Sequence, residues 1–179
     1  MTVSYKSKIL KAYFEELDPD YQVKFLEEEE PLGTAGSISL FSSELNKDTI
    51  VINGDLLTKI SYKSLLEFHE QKKSNFTIGV REHEYTIPYG VVEIEKLKAQ
   101  KLVEKPNIKH FVNAGIYVLS PSTIKKIPTN KFFNMTDLMN PLMKKGDVYT
   151  YPIYEYWVDI GKMEDLIRAD NDYKKVFLK

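Results

Sequence analysis

The chain has no cysteine among its 179 residues. Disulfide staples, thiol nucleophiles and cysteine-ligated zinc are therefore excluded. Histidine is scarce too: His69, His83 and His110 stand far apart without metal-ligand spacing, and each reads as a surface or packing residue. The formal net charge is −1, so no excess of either sign marks a nucleic acid or an acidic membrane as partner. No apolar stretch approaches the roughly 20 residues needed to span a bilayer. Met1-Thr2-Val3-Ser4-Tyr5-Lys6 lacks the apolar core of a signal peptide, so the expected compartment is the cytoplasm. There is no internal repeat, no low-complexity tract, no Gly-Lys-Ser/Thr phosphate loop and no dinucleotide fingerprint.

What is present suits a compact α/β protein. The length and an apolar content of 42% allow one domain, residues 1–179, with a proper core. Strand-like and helix-like patterns alternate. Val3 and Tyr5 alternate with polar neighbours, and Ile9, Leu10, Tyr13, Phe14 and Leu17 then recur at helical spacing until Asp18-Pro19-Asp20. Tyr21 to Leu26 reads as a strand and the acidic run Glu27 to Glu30 as a solvated loop. Thr34 is a candidate cap for a helix turning Ile38, Phe41 and Leu45 inward, and Ser61 for one with Leu65, Leu66 and His69 on one face. Further strands are expected at Thr49 to Ile52, Phe76 to Val80, Ala114 to Leu119, Val148 to Ile153 and Tyr156 to Asp159, with Pro88 to Ile94 paired to Lys101 to Val103. Ser120-Pro121 opens a helix, and Thr136 starts a short one that Pro141 should interrupt or kink. The last helix follows Gly161, carries Glu164 and Asp165 in its first turn, and turns Met163, Leu166, Ile167 and Tyr173 toward the body.

Two aspartates close short apolar runs: Asp55 after Thr49-Ile50-Val51-Ile52-Asn53-Gly54, and Asp159 after Tyr156-Trp157-Val158. Both runs read as buried strands, and ligands of open α/β sheets gather at strand carboxyl ends. Two carboxylates meeting there make a hard, oxygen-rich site of the kind Mg²⁺ shares with phosphate. Asn53-Gly54 is also a hairpin signal, although Leu56-Leu57-Thr58 does not alternate cleanly as a return strand; Asp159 before Ile160-Gly161 also suits a plain turn. Pro31-Leu32-Gly33-Thr34-Ala35-Gly36-Ser37 places small residues at a helix start, where free N–H groups can meet an anion or a base edge, or where helices pack tightly. Glu104-Lys105-Pro106 offers a cation for phosphate and a carboxylate for hydroxyls, or an exposed ion pair in a turn. Asn113-Ala114-Gly115-Ile116-Tyr117 sets an amide and a glycine at the edge of an apolar strand, suited to reading hydroxyls or to a structural turn. Tyr149, Tyr151, Tyr154, Tyr156 and Trp157 suit base stacking or strand packing.

Taken in order, Leu32-Gly33-Thr34-Ala35-Gly36, Asn53-Gly54-Asp55, Pro88-Tyr89-Gly90-Val91-Val92, Glu104-Lys105-Pro106, Val112-Asn113-Ala114-Gly115-Ile116-Tyr117 and Trp157-Val158-Asp159-Ile160-Gly161 resemble the sugar-1-phosphate nucleotidyltransferases, especially the mannose-1-phosphate guanylyltransferase-like group. The resemblance covers essentially the whole chain. It implies a Rossmann-like nucleotide-diphospho-sugar transferase fold with a mixed, mainly parallel central sheet. It also implies a reaction joining a nucleoside triphosphate, GTP favoured, to a sugar 1-phosphate with release of pyrophosphate, and Mg²⁺ as cofactor. By this likeness Asp55 and Asp159 would hold Mg²⁺ against the α-phosphate and Lys105 would hold the sugar phosphate. Gly33, Thr34 and Gly36 would lie along the base, and Gly90, Glu104, Asn113 and Gly115 would line the sugar. No protein nucleophile is needed, so positioning and charge stabilisation would carry catalysis. Neither nucleic acid nor membrane is an implied partner; a homo-oligomer is compatible.

The chain departs from the family at one place. The family opens with a buried strand and a loop of the form Gly-Gly-x-Gly-Thr-Arg-Leu that wraps the triphosphate, whereas Met1-Thr2-Val3-Ser4-Tyr5-Lys6 resembles its second strand and nothing later replaces the loop. Each charge-assisted contact so lost is worth about 1.5–3 kcal/mol, and the expectation is that this polypeptide alone is inactive or nearly so. Two other functions fit fewer features. A non-catalytic regulatory subunit of the same fold would sense sugar nucleotide but has little need of Asp55, Asp159 and Lys105. A metal-dependent glycosyltransferase usually carries an Asp-x-Asp cluster, matched here only by Asp18-Pro19-Asp20 in a turn.

Overall fold

The computed structural model describes residues 1–178. In chain order the elements are strand β1 (Thr2–Val3), helix α1 (Ser7–Leu17), β2 (Leu26–Glu27), α2 (Gly33–Gly36) running into a 3-10 turn (Ser37–Phe41), β3 (Thr49–Ile52), β4 (Leu56–Thr58), α3 (Tyr62–Gln71), β5 (Phe76–Thr86), β6 (Val91–Glu95), β7 (Lys98–Val103), β8 (Asn107–Leu119), α4 (Pro121–Ile124), α5 (Met135–Met143), β9 (Val148–Pro152), β10 (Trp157–Asp159) and α6 (Met163–Val176). One sheet has the order β3-β8-β5-β9; three others have two strands each, β1-β2 parallel and β4-β10 and β6-β7 antiparallel. Both pairing senses thus occur, as expected of a mixed α/β fold. Among the described residues no helix is long and apolar enough to cross a membrane. The chain divides into two compact units.

The first unit comprises Met1–Val51, Leu65–Thr77 and Val118–Tyr149. Its core holds Leu65, Phe76, Val118, Leu119, Ile124, Leu138 and Leu142. Ser120 caps α4, its hydroxyl accepting from the Thr123 N–H at 3.3 Å. Asn134, two residues before the expected start, opens α5 in a capping box with Asp137. Pro141 sits inside α5 without ending it. Asp137, Asn140 and Pro141 all lie on the exposed side, where water can take the carbonyl that proline leaves unpaired.

Three expectations are corrected in this unit. Thr34 does not cap α2: Leu32 holds that position, and the Thr34 hydroxyl accepts from the Met135 N–H at 2.8 Å. Of Tyr21 to Leu26, only Leu26 is in a strand, because β2 pairs with just the two residues of β1. Helix α1, for whose apolar residues the spacing set no facing, has none of them buried. Ser7 and Lys11 bond Glu27, each at 2.8 Å, and Phe14 meets Phe25 edge-on, so Ile9, Tyr13 and Leu17 point outward, Ile9 being 63% exposed. A two-residue parallel pair is too small to cover a helix face. Likewise β3 is half-buried rather than buried, with Ile52 exposed, because it lies at a sheet edge.

The second unit comprises Ile52–Ser64, Ile78–Tyr117 and the residues from Thr150 onward. Ile78, Val80, Ala114, Ile116, Ile153 and Val158 are buried in it. Gly79 permits close packing, since a Cβ there would lie 2.9 Å from Ile153 Cδ1. Ser61 caps α3 through the Ser64 N–H at 3.2 Å. The hairpin β6-β7 closes through Lys96 and Leu97, at φ 47° and 66°, between the paired Glu95 and Lys98; two positive φ values match the right-handed strand twist. Helix α6 is rotated from its expected setting. Ala169 is buried, whereas Met163, Leu166, Ile167 and Tyr173 are exposed. Polar contacts set that rotation: the Tyr156 hydroxyl donates to Asp172 at 2.7 Å, and the Lys59 ammonium bonds the Val176 carbonyl.

His69, on α3, is 1% exposed; its Nδ1 pairs with the Thr77 hydroxyl at 2.7 Å, and its Nε2 has no hydrogen bond, with Asp48 Oδ2 3.7 Å away. Burial holds this imidazole below its usual value of 6.5, against the opposing pull of Asp48 and Glu70. The unfolded chain therefore takes up this proton first, and His69 favours folding above pH 6.5 and loses that contribution as pH falls through the depressed folded value. Urea midpoints measured at pH 7.5 and pH 5.5 should drop more for the wild type than for His69→Gln; equal drops would contradict the assignment.

Candidate functional site

Asp55 and Asp159 both belong to the second unit, and the pairing of β4 with β10 brings them together. In that antiparallel register Trp157 faces Thr58, Val158 faces Leu57 and Asp159 faces Leu56. The ladder continues one step further, the Ile160 N–H donating to the Asp55 carbonyl at 2.9 Å. Leu56-Leu57-Thr58 is thus a strand after all, but its partner is β10 rather than β3, so Asn53-Gly54-Asp55 is no hairpin between neighbours. Asp55 ends the turn that enters β4, and Asp159 ends β10.

The electrostatics of the pair fit a cation. Burial, then the Asp55 carboxylate, then the Asp165 carboxylate in the first turn of α6 raise the Asp159 carboxyl above the usual range. The causes that act on the Asp159 carboxyl include no neighbouring positive charge. Among the described residues no group of three or more acidic or histidine side chains could hold a metal. Two carboxylates with water and phosphate oxygens completing the shell is the arrangement Mg²⁺ commonly takes.

Strand β8 brings further polar groups of the same unit. Gly115 has φ +69°, its carbonyl accepts from the Asn53 N–H at 2.9 Å, and a Cβ on it would lie 2.7 Å from Asn53 Nδ2. Asn113 Oδ1 accepts from the Gly115 N–H at 2.9 Å, and its Nδ2 donates to the Tyr117 hydroxyl at 2.7 Å. Asn113 is therefore held in one orientation, with one donor and one acceptor site left over. Trp157 Nε1 donates to the Ala114 carbonyl at 2.9 Å, and Arg81 Nη1 donates to the Ile153 and Glu155 carbonyls at 2.9 Å each. Neither Trp157 as a donor nor Arg81 stands out in the sequence; the available signal for Arg81 is an arginine directly after the apolar run Phe76 to Val80.

Gly90 and Glu104 also meet, a Cβ on Gly90 falling 2.9 Å from Glu104 Oε2. Lys105 adopts a left-handed backbone, φ 44°, and is exposed; among the described residues it forms no ion pair. Gly33, Thr34 and Gly36 lie in the first unit. The Ala35 and Gly36 N–H groups both donate to the Phe133 carbonyl at 2.9 Å, and Thr34 N–H to Asn134 Oδ1 at 3.4 Å. Space for a side chain at Gly36 is filled by the Lys131 carbonyl, 2.4 Å from a Cβ. Tight packing thus accounts for these residues. A cavity of about 490 Å³ in this unit is lined by Glu27 to Glu30, Leu32, Leu40 and Asn130; such a lining repels a triphosphate.

Residues 1–176 match the family model described as nucleotidyl transferase. The chain belongs to that family. The chain is similar to the mannose-1-phosphate guanyltransferases of Aspergillus fumigatus, 29% identical over 177 residues, and Pichia angusta, 31% identical over 178. Each alignment covers 93% of this chain and 49% of the relative, so the chain spans about half the length of the curated relatives it matches. Among solved structures, HddC from Yersinia pseudotuberculosis is 28% identical, with a TM-score of 0.70 over 96% of this chain and 76% of HddC. HddC has also been solved complexed with GMP-PN. The Rossmann-like transferase fold expected from the motifs is therefore the fold observed.

The surroundings of three glycines order the cost of adding a methyl group. Gly36→Ala meets backbone at 2.4 Å, Gly115→Ala meets a side chain and forces Ala to positive φ, and Gly54→Ala meets nothing within 4 Å. Urea denaturation should show losses of about 3 kcal/mol for the first, about 1–2 kcal/mol for the second, and less than about 0.5 kcal/mol for the third. A reversed order would contradict these packing environments.

Proposed function

We propose that the protein containing these 179 residues transfers a nucleotidyl group from a nucleoside triphosphate, GTP favoured, to a sugar 1-phosphate, with residues 1–179 acting as one nucleotidyltransferase domain. The observation that carries this reading is the β4-β10 pairing that joins Asp55 to Asp159. The guanyltransferase relatives and the GMP-PN complex of HddC support it.

In this reading a phosphate oxygen of the sugar 1-phosphate attacks the α-phosphorus in line, the bond from that phosphorus to the bridging oxygen breaks, and pyrophosphate leaves. Asp55 and Asp159 would hold a divalent cation against the α-phosphate, where it offsets charge on the phosphoryl oxygens. Lys105, exposed and unpaired among the described residues, supplies the cation for the sugar phosphate. Glu104, beside Gly90, and the remaining donor and acceptor of Asn113 suit sugar hydroxyls, whereas Gly115 is assigned to the sugar by family likeness, since Asn53 takes the space beside it. Gly33, Thr34 and Gly36 are assigned to the base by family likeness alone, since the Thr34 and Gly36 amides are engaged within the protein.

Because the sequence contains no Gly-Gly-x-Gly-Thr-Arg-Leu segment, binding is the measurement suited to it, and little or no pyrophosphate release is expected. Calorimetric titration of Mn²⁺ should show binding to the wild type that Asp55→Asn and Asp159→Asn each weaken at least about tenfold, or about 1.4 kcal/mol. Without metal, Asp159→Asn should be no less stable than the wild type, because it relieves like-charge repulsion. Mannose 1-phosphate should bind the wild type and bind Lys105→Ala more weakly. Mn²⁺ binding unchanged in both aspartate variants would overturn the reading; binding of sugar nucleotide but never of sugar 1-phosphate would favour a glycosyltransferase.

A further inference from the structure

Strand β10 has three residues and its partner β4 has three. Two such strands do not hold a geometry by themselves, yet Asp159 must keep a fixed place relative to the polar groups of β8. The Asn53 N–H ties the Asp55 side to the Gly115 carbonyl, and one side chain of β10 makes the connection for Asp159. The Trp157 indole N–H donates to the Ala114 carbonyl at 2.9 Å. That carbonyl and the Gly115 N–H are the two ends of one peptide unit, and the N–H end is held by Asn113 Oδ1, also at 2.9 Å. The peptide on which β8 departs from ordinary strand backbone, at the positive φ of Gly115, is thus gripped at both ends by side chains. One of those side chains is two residues from Asp159.

We propose that Trp157 is a positioning residue: its indole N–H locks the Asp159 strand to the Ala114–Gly115 peptide and so sets the metal-binding carboxylate against the Asn113–Gly115 segment. This rests on the metal reading of Asp55 and Asp159. The other anchors of the segment act elsewhere. Arg81 holds the Ile153 and Glu155 carbonyls, the Thr58 hydroxyl and the Lys59 N–H hold the Tyr156 carbonyl, and the Tyr156 hydroxyl holds Asp172. Only Trp157 among these reaches the Asn113–Gly115 segment. Half-buried with its N–H engaged, it serves the site as a brace rather than as a stacking platform.

Trp157 is the one tryptophan in the chain, which makes the test selective. Replacing it biosynthetically by benzothienylalanine substitutes sulfur for the N–H and keeps the ring; Trp157→Phe is the genetic counterpart. With Mn²⁺ as the probe, free-ion electron paramagnetic resonance should show affinity about three- to tenfold weaker in both, the size expected for one lost hydrogen bond. Tyr156→Phe loses a hydrogen bond of similar size on the adjacent residue and should leave Mn²⁺ affinity unchanged. In the wild type the single indole ¹H–¹⁵N resonance should exchange slowly with solvent and broaden saturably with Mn²⁺, and Asp55→Asn should abolish the broadening. Unchanged affinity in the sulfur isostere overturns the proposal, as does an equal loss in Tyr156→Phe, which would mark general loosening. If Asp55→Asn also binds Mn²⁺ normally, the metal reading itself is what fails.

Discussion

The pairing of β4 with β10 is the constraint on which the site depends. Six residues, distant in sequence, bring Asp55 beside Asp159, and the ladder ends in the bond from the Ile160 N–H to the Asp55 carbonyl. A slip of one residue would send every side chain of so short a strand to the other face. The register therefore needs pinning from outside the pair. Thr58 supplies part of it, its hydroxyl donating to the Tyr156 carbonyl and accepting from the Ile60 N–H. Lys59 adds its own N–H to the same Tyr156 carbonyl. Closing a long loop onto a small sheet costs entropy that the sheet's own bonds cannot offset, so side-chain anchors concentrate here.

Those anchors explain what could and could not be read from the residues. The strand end carrying Asp159 and the caps Ser61 and Ser120 are local signals, and each appears where spacing and turn chemistry put it; the β6-β7 hairpin also forms, but from Val91–Glu95 and Lys98–Val103 rather than Pro88 to Ile94 and Lys101 to Val103. Strand β4 could not be recognised, because Leu56-Leu57-Thr58 has no alternation of its own and becomes a strand only against β10; short-strand preference is mostly the preference of its partner. Helix α6 shows a different limit. Periodicity states which side chains share a face, not which face turns inward. In α6 the Tyr156–Asp172 and Lys59–Val176 contacts fix the rotation, and both partners lie outside the helix in sequence.

The candidate site was legible to a similar degree. Asn113-Ala114-Gly115 drew notice through its glycine, and the left-handed φ of Gly115 gives that glycine a reason. Gly33 and Gly36 drew notice for the same reason, yet what they accommodate is the chain itself, Phe133 and Asn134 against one and Lys131 against the other. A glycine reports that something comes close to the backbone; only coordinates tell whether that thing is protein or ligand. His69 reads as a packing residue and is one, although its unbonded Nε2 near Asp48 is a feature no spacing rule would have suggested.

The charge balance of the second unit argues for a site organised around an occupant. Asp159 faces the charges of Asp55 and Asp165, and nothing in its surroundings lowers its carboxyl pKa. A structural carboxylate would ordinarily find a basic side chain or several N–H donors. Asp165 also occupies the first turn of α6, where a helix favours acids, so its position is satisfied by the helix while its field falls on Asp159. The chain elsewhere pairs its acids readily, Glu27 with Lys11 and Glu82 with Lys109. Asp159, at the end of β10, is instead left facing two like charges. In the proposed reading, a divalent cation held by Asp55 and Asp159 would relieve that repulsion, and the relief would add to the binding free energy.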